Sequence, residues 1–156
     1  MQSKRRGFTV LELVIVLTLV GIVAGITVSG YTRSRQHVQN GIAMRHVEAY
    51  AVTARSAAMQ RGRTTALHVE GDQTWITVDS SGTELVIGPP VRLRDNFGVA
   101  ASGPLTVVSF DPRGFASGLP PEGTRFVIQP SSGSSGRVRD TVCVSRTGQI
   151  KTRGCA

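Results

Sequence analysis

The sequence predicts an α+β fold in which one long N-terminal helix packs on a C-terminal antiparallel β domain. Three features predict it. An apolar run with Glu12 as its only charge occupies Phe8 to Val28. A polar stretch with helical apolar spacing follows as far as Arg61, and beyond Gly62 short β-branched runs alternate with turn residues.

The apolar run is 21 residues long. At 1.5 Å per residue a helix of that length covers about 30 Å, one hydrocarbon core, so the first half of the helix is expected to span a membrane. A secretory signal peptide has a shorter apolar region, about 7–15 residues, and a small-residue cleavage site, for which Val28-Ser29-Gly30 is a poor match. Between Tyr31 and Arg61 the residues Val47, Tyr50, Ala51, Ala54, Ala57 and Ala58 keep the spacing of an amphipathic helix. The helix is therefore expected to continue, with Gly30 and Gly41 as points of bending. Gly62 ends it, because glycine accepts the left-handed conformation of a C-cap.

Seven runs after Gly62 read as strands: Thr64–Val69, Thr74–Asp79, Glu84–Ile87, Leu105–Phe110, Arg125–Gln129, Thr141–Ser145 and Gln149–Thr152. Gly71-Asp72, Ser81-Gly82 and Thr147-Gly148 are turn pairs. Pro89-Pro90, Pro120-Pro121 and Pro130 mark loops, and Ser131 to Gly136 is a flexible surface loop. Aromatic residues make up only 5% of the chain, so the core should rest on Val, Ile, Leu and Ala.

Formal net charge is +8. Lys4, Arg5 and Arg6 precede the apolar run and fall on the cytoplasmic side under the positive-inside rule. The remaining excess attracts phosphates, anionic lipid or acidic partners without choosing among them. Cys143 and Cys155 are the only cysteines. Both lie beyond the apolar run, where an exported domain meets oxidising conditions, and they are expected to pair. A metal site is the alternative, but it lacks a neighbouring His or a third Cys.

A carboxylate within an apolar run is costly and points to function. The string Arg5-Arg6-Gly7-Phe8-Thr9-Val10-Leu11-Glu12-Leu13 resembles the processing signal of type IV prepilins and type II secretion pseudopilins. The resemblance implies a leader at residues 1–7, a transmembrane and assembly helix at 8–28, its amphipathic continuation at 29–62 and a β-rich, pilin-like domain at 63–156. It also implies that a prepilin peptidase cuts between Gly7 and Phe8 and methylates the new amine of Phe8. That ammonium would lie one helical turn from Glu12, which itself sits near the positive end of the helix dipole. In the resembling family this glutamate pairs with the amine of an adjacent subunit during assembly. Sequence alone leaves intramolecular and intersubunit pairing open, and a plain anchor with Glu12 at interface depth is the structural alternative.

Further strings, Ala54-Arg55-Ser56-Ala57-Ala58, Phe110-Asp111-Pro112-Arg113-Gly114-Phe115-Ala116 and Val144-Ser145-Arg146-Thr147-Gly148-Gln149-Ile150-Lys151-Thr152, are similar to minor pilins and pseudopilins of the GspH/FimT type. Each has a plain structural reading as well: small residues that let a helix approach a sheet, and a Pro-Gly turn anchored by phenylalanines. The resemblance implies a minor or initiating subunit. Its partners would be other pilin or pseudopilin subunits, the prepilin peptidase, the inner membrane and an inner-membrane assembly platform. Double-stranded DNA is the alternative partner, since some FimT-like minor pilins bind DNA through a Gly-Arg-x-Arg motif. The matching stretch here is Gly148-Gln149-Ile150-Lys151, so both arginines are replaced. Arg137, Arg139, Arg146, Lys151 and Arg153 remain as candidate phosphate contacts, weighed against a solvated charged rim.

Catalytic motifs are lacking. His37, His46 and His68 are dispersed, Gly133-Ser134-Ser135-Gly136 is not a nucleophile elbow, and no glycine loop carries a phosphate-binding lysine. The expectation is a structural protein without enzymatic activity, cofactor or metal.

Overall fold

The computed structural model describes residues 9–131 and 139–152, with the backbone alone over 26–33. It comprises two units, Met1–Arg35 and Gln36–Ala156. Helix α1, Val10–Arg61, contributes to both.

In the first unit the helix starts at a side-chain cap. Thr9 Oγ1 accepts the Glu12 amide at 3.3 Å, and the Thr9 carbonyl accepts the Leu13 amide at 3.2 Å. The described side chains from Val10 to Gly25 are all exposed. Among the described residues no helix is long and apolar enough to cross a membrane, so the expected membrane-spanning first half is not borne out there. The described side chains of the apolar run, Val10 to Gly25, cover about 24 Å of helix against about 30 Å of hydrocarbon core. The rest of the apolar run, Phe8 and residues 26–28, lies outside the described side chains.

In the second unit the helix buries one stripe, Asn40, Ala43, Met44, Val47, Ala51, Ala54 and Ala58. The spacing of three and four residues is that of one helix face. Alanine at four of these positions lets the helix approach the sheets closely. Thr65 Oγ1 donates to the Ala54 carbonyl at 2.7 Å and satisfies a polar pair inside that contact. The helix ends as expected. Gly62 has φ 60°, and the Arg63 amide reaches back to the Ala58 carbonyl at 3.3 Å, closing a Schellman turn.

Among the described residues nine strands follow: β1 (Thr65–Glu70), β2 (Gln73–Ser80), β3 (Thr83–Arg92), β4 (Val99–Ser102), β5 (Val107–Phe110), β6 (Ala116–Ser117), β7 (Thr124–Pro130), β8 (Asp140–Val144) and β9 (Ile150–Thr152). A short helix α2, Leu93–Phe97, precedes β4. The strands pair antiparallel, in one sheet of order β3-β2-β1-β5-β6 and a second of order β4-β7-β8-β9. Both sheets bury their inner residues in a single core with α1, in which Leu67, Ile76, Val108 and Phe110 meet Phe126, Ile128, Val142 and Val144. The core is aliphatic with two central phenylalanines.

The turns at Gly71-Asp72 and Ser81-Gly82 fall where expected. Ser81 and Gly82 have φ 58° and 84°, the two left-handed residues of a type I′ hairpin. Two expectations need correction. Pro130 does not mark a loop but is the last residue of β7, paired with Val99 on β4. Pro89-Pro90 is not a loop between strands but part of β3, which runs on to Arg92. β3 tolerates proline because it is an edge strand, and the register against β2 shifts between Thr74 and Ile76, where the prolines bulge away from the ladder. The Tyr50 hydroxyl donates to the Pro89 carbonyl at 2.9 Å and fixes the bulge to α1. The segment from Leu93 to Ser102, too short for a periodic pattern in sequence, forms α2 and β4. Ser131 donates its amide and hydroxyl to the Gly98 carbonyl at 2.9 and 2.8 Å, and the rest of the Ser-Gly stretch lies outside the described residues.

Candidate functional site

Of the residues expected to carry processing and assembly, Gly7 and Phe8 lie outside the described residues. Glu12 is the third residue of α1, in its first turn. Thr9-Val10-Leu11-Glu12 has the spacing of a capping box, in which a hydroxyl caps the third helical amide and an acid sits near the helix's positive end. The Thr9 half is made, since its hydroxyl accepts the Glu12 amide. The cap holds the glutamate at the beginning of the helix. Within the apolar stretch Thr18 satisfies its own hydroxyl by donating to the Val14 and Ile15 carbonyls, 2.6 and 3.0 Å away.

The expected basic cluster is only partly described. Arg137 and Arg153 lie outside the described residues, as does Cys155. Cys143 lies on β8 and is disulfide-bonded. Arg139 is exposed just before β8, Arg146 is exposed in the turn after it, and Lys151 is exposed on β9. The strand register adds a cation that sequence reasoning passed over. Lys151 pairs with Cys143, and Cys143 pairs with Arg125 on β7, so the three side chains form a row on one sheet face. The row borders a groove of about 590 Å³ that Glu122, Thr147 and Gln149 also line. Only the pairing of β7 with β8 could have revealed Arg125, because 26 positions separate it from Lys151.

The two turn motifs and the Ala-Arg-Ser string meet at one end of the domain. Asp111 accepts the Arg113 and Phe115 amides at 2.9 and 2.8 Å and the Arg113 side chain at 3.3 Å. These donors hold its carboxyl below the usual range, the Phe115 amide foremost. The Ala116 amide donates to the Arg146 carbonyl at 3.0 Å and joins this turn to the one after β8. A Cβ on Gly148 would lie 2.0 Å from the Gly114 carbonyl oxygen and 3.0 Å from Arg55 Nε, and one on Gly114 would meet Met59 Sδ at 2.9 Å. Gly148 is therefore required by close approach to backbone and Gly114 by its φ of 84°, and the two turns meet over Arg55, whose Nε is buried without a hydrogen-bond partner. Among the described residues no group of three or more His, Cys, Asp or Glu side chains could hold a metal ion.

Residues 43–148 match the family model described as Type II transport protein GspH. The chain belongs to this family. Residues 2–28 of the GspH-family chain also match the prokaryotic N-terminal methylation motif, which encloses Gly7, Phe8 and Glu12. Among solved structures, the type IV minor pilin FimU of Pseudomonas aeruginosa is similar with a TM-score of 0.53 at 22% identity, over 74% of this chain and 88% of that one. The minor pseudopilin EpsH from the Type 2 Secretion System of Vibrio cholerae is similar with a TM-score of 0.59 at 10% identity, over 73% and 95%. At these identities the likeness is one of fold. No curated protein matches in sequence.

Proposed function

We propose that this GspH-family protein is a minor pilin or pseudopilin, a structural and initiating subunit of a type IV pilus or type II secretion pseudopilus. The observation that carries the proposal is the first unit of the structure. Its large apolar side chains from Val10 to Val23 are 50–81% exposed, and Glu12 is held beside the helix start within the methylation motif. So much exposed apolar surface requires a second environment. In this reading it is the inner membrane first, entered by Phe8–Val28 as a single pass with the globular domain on the periplasmic side, and neighbouring subunits afterwards. Prepilin peptidase cuts after Gly7, the amine of Phe8 is methylated, and an assembly platform moves the helix from lipid into the filament. Glu12 then pairs with the Phe8 ammonium of an adjacent subunit, neutralising two charges that are costly in lipid. Cys143 pairs with Cys155 and ties the chain's end to β8. The role is structural rather than enzymatic.

The test is Glu12→Ala. It should leave membrane insertion intact and remove the chain from the assembled filament. Normal assembly of the variant would sink the charge-pairing account.

A second reading is favoured by the cation row on β7 and β9. A tip subunit that binds duplex DNA for uptake would use Arg137, Arg139, Arg146, Lys151 and Arg153, with Arg125 beside them. Binding through phosphates falls steeply with salt. The detergent-solubilised full chain should then bind duplex DNA at low salt and release it at high salt, and Arg125→Gln with Lys151→Gln should weaken that binding. No binding at low salt would reduce the cations to a solvated rim.

A further inference from the structure

The edge of a β-sheet is a row of unpaired backbone donors and acceptors, and proteins blunt it by keeping the edge strand short, by proline or a bulge, or by charge. Among the described residues the two sheets end in four such strands. β6 is two residues long, and β9 is three residues long and carries Lys151. β4 is four residues long, and its Ala101 amide donates to the Gly71 carbonyl at 2.6 Å. β3 differs from all of them, with ten residues.

Only the second half of β3 is blunted. Beyond Gly88, Pro89 and Pro90 supply no amide, the register shifts, and the Tyr50 hydroxyl occupies the Pro89 carbonyl. The first half, Thr83-Glu84-Leu85-Val86-Ile87, holds no proline and one charge, and among the described residues its only strand neighbour is β2. Leu85 and Val86 are 52% and 59% exposed, although their partners on β2, Val78 and Thr77, are buried. Successive side chains of a strand point to opposite faces, so the sheet is unfinished on both faces at this one place. A layer laid over either face would cover one of the two side chains. A strand alongside flanks both and also meets the backbone edge.

We propose that Thr83–Ile87 pairs antiparallel with the same five residues of a second copy of this chain, joining two five-stranded sheets edge to edge. The run points to a second copy because it is complementary to itself. Centred on Leu85, the pairing sets Leu85 against the partner's Leu85, Glu84 against the partner's Val86 and Thr83 against the partner's Ile87. Centring on Glu84 would oppose two carboxylates, which destabilises a cross-strand pair. Centring on Val86 would bring Pro89 against Thr83, where an amide is needed. A two-fold axis at Leu85 makes the contact isologous and closed, so it yields a dimer and not a fibre. Five residues a side make a small interface, in the weak class below about 1,200 Å², so the pair is one to trap rather than to isolate by size. The contact does not depend on the filament reading.

The experiment uses the full-length chain, with two differently tagged copies expressed in the same cells. Leu85→Cys places two thiols across the axis, where directly opposite Cβ atoms lie about 4.5–5.5 Å apart, and mild oxidation should join the tagged copies in a product that reduction reverses. Ser117→Cys, exposed on the opposite edge strand of the same sheet, should give at least tenfold less of that product. A photo-cross-linking residue at position 86 should link to the second copy. Leu85→Lys sets two ammonium groups face to face and should abolish that link at an unchanged melting temperature, since Leu85 is half-exposed. If Leu85→Lys melts lower, the cysteine comparison, which removes little packing, decides. Equal products from positions 85 and 117, links from position 86 only to another protein, or an undiminished link in Leu85→Lys at the wild-type melting temperature would each overturn the pairing.

Discussion

The two ends of α1 place their apolar residues in two different ways. From Val10 to Val23 apolar side chains surround the axis and all of them are exposed, so no periodicity separates a core face from a solvent face. In residues 36–61 apolar residues return at intervals of three and four, and the stripe through Val47, Ala51, Ala54 and Ala58 has no exposed surface. Water on one side and a core on the other impose a period. Apolar residues all round a helix leave no such period, which is why the first stretch reads as hydropathy and the second as spacing.

The comparison breaks most sharply under a charge. Val47→Asp should unfold the domain, because an unpaired carboxylate in the core costs about 3–5 kcal/mol or more. Val16→Asp should leave domain stability unchanged. Thermal unfolding of the full chain in detergent, followed through the Trp75 signal, measures both. Similar losses from the two would mean that the first stretch is part of the domain core.

Close approach within the domain gives the next effect. Gly148→Ala should cost about 2–3 kcal/mol, since its Cβ would strike the Gly114 carbonyl as well as straining a left-handed residue. Gly118→Ala carries only the strain, about 1–2 kcal/mol, because nothing lies within 4 Å of its Cβ. Equal melting temperatures would remove the argument that the two turns lock over Arg55.

Loss of the helix cap is smaller and falls on the first unit. Thr9→Ala should cost that helix start about 1 kcal/mol and leave the domain untouched, visible as faster amide exchange at Glu12 and Leu13 alone. The smallest effect is confined to one turn. Asp111 is stabilised as the carboxylate, so its contribution is fully present above the ordinary carboxylate range and is lost as pH falls through its lowered folded value. The Phe115 amide should lose protection in that acid window, and Asp111→Asn should abolish the pH dependence. An unchanged Phe115 amide across the window would contradict the turn's electrostatics.

Local chemistry made much of this legible. The Gly62 cap, the two tight turns of the first sheet and the core stripe of α1 each follow from residues close together in sequence. Proline usually ends a strand, so sequence stops β3 at Ile87, and only its edge position shows why Pro89 and Pro90 are tolerated. α2 and β4 are too short to establish a period. The locking of Gly114 and Gly148 over Arg55, and the row that adds Arg125 to Lys151, are products of tertiary register. No window of sequence contains them.

The most direct test of the central claim is the intact mass of the protein recovered from its own membranes and filaments. The account predicts a chain that begins at Phe8, carries one added methyl group and gains two hydrogens on reduction. A chain that still begins at Met1, or one cut elsewhere, would contradict it.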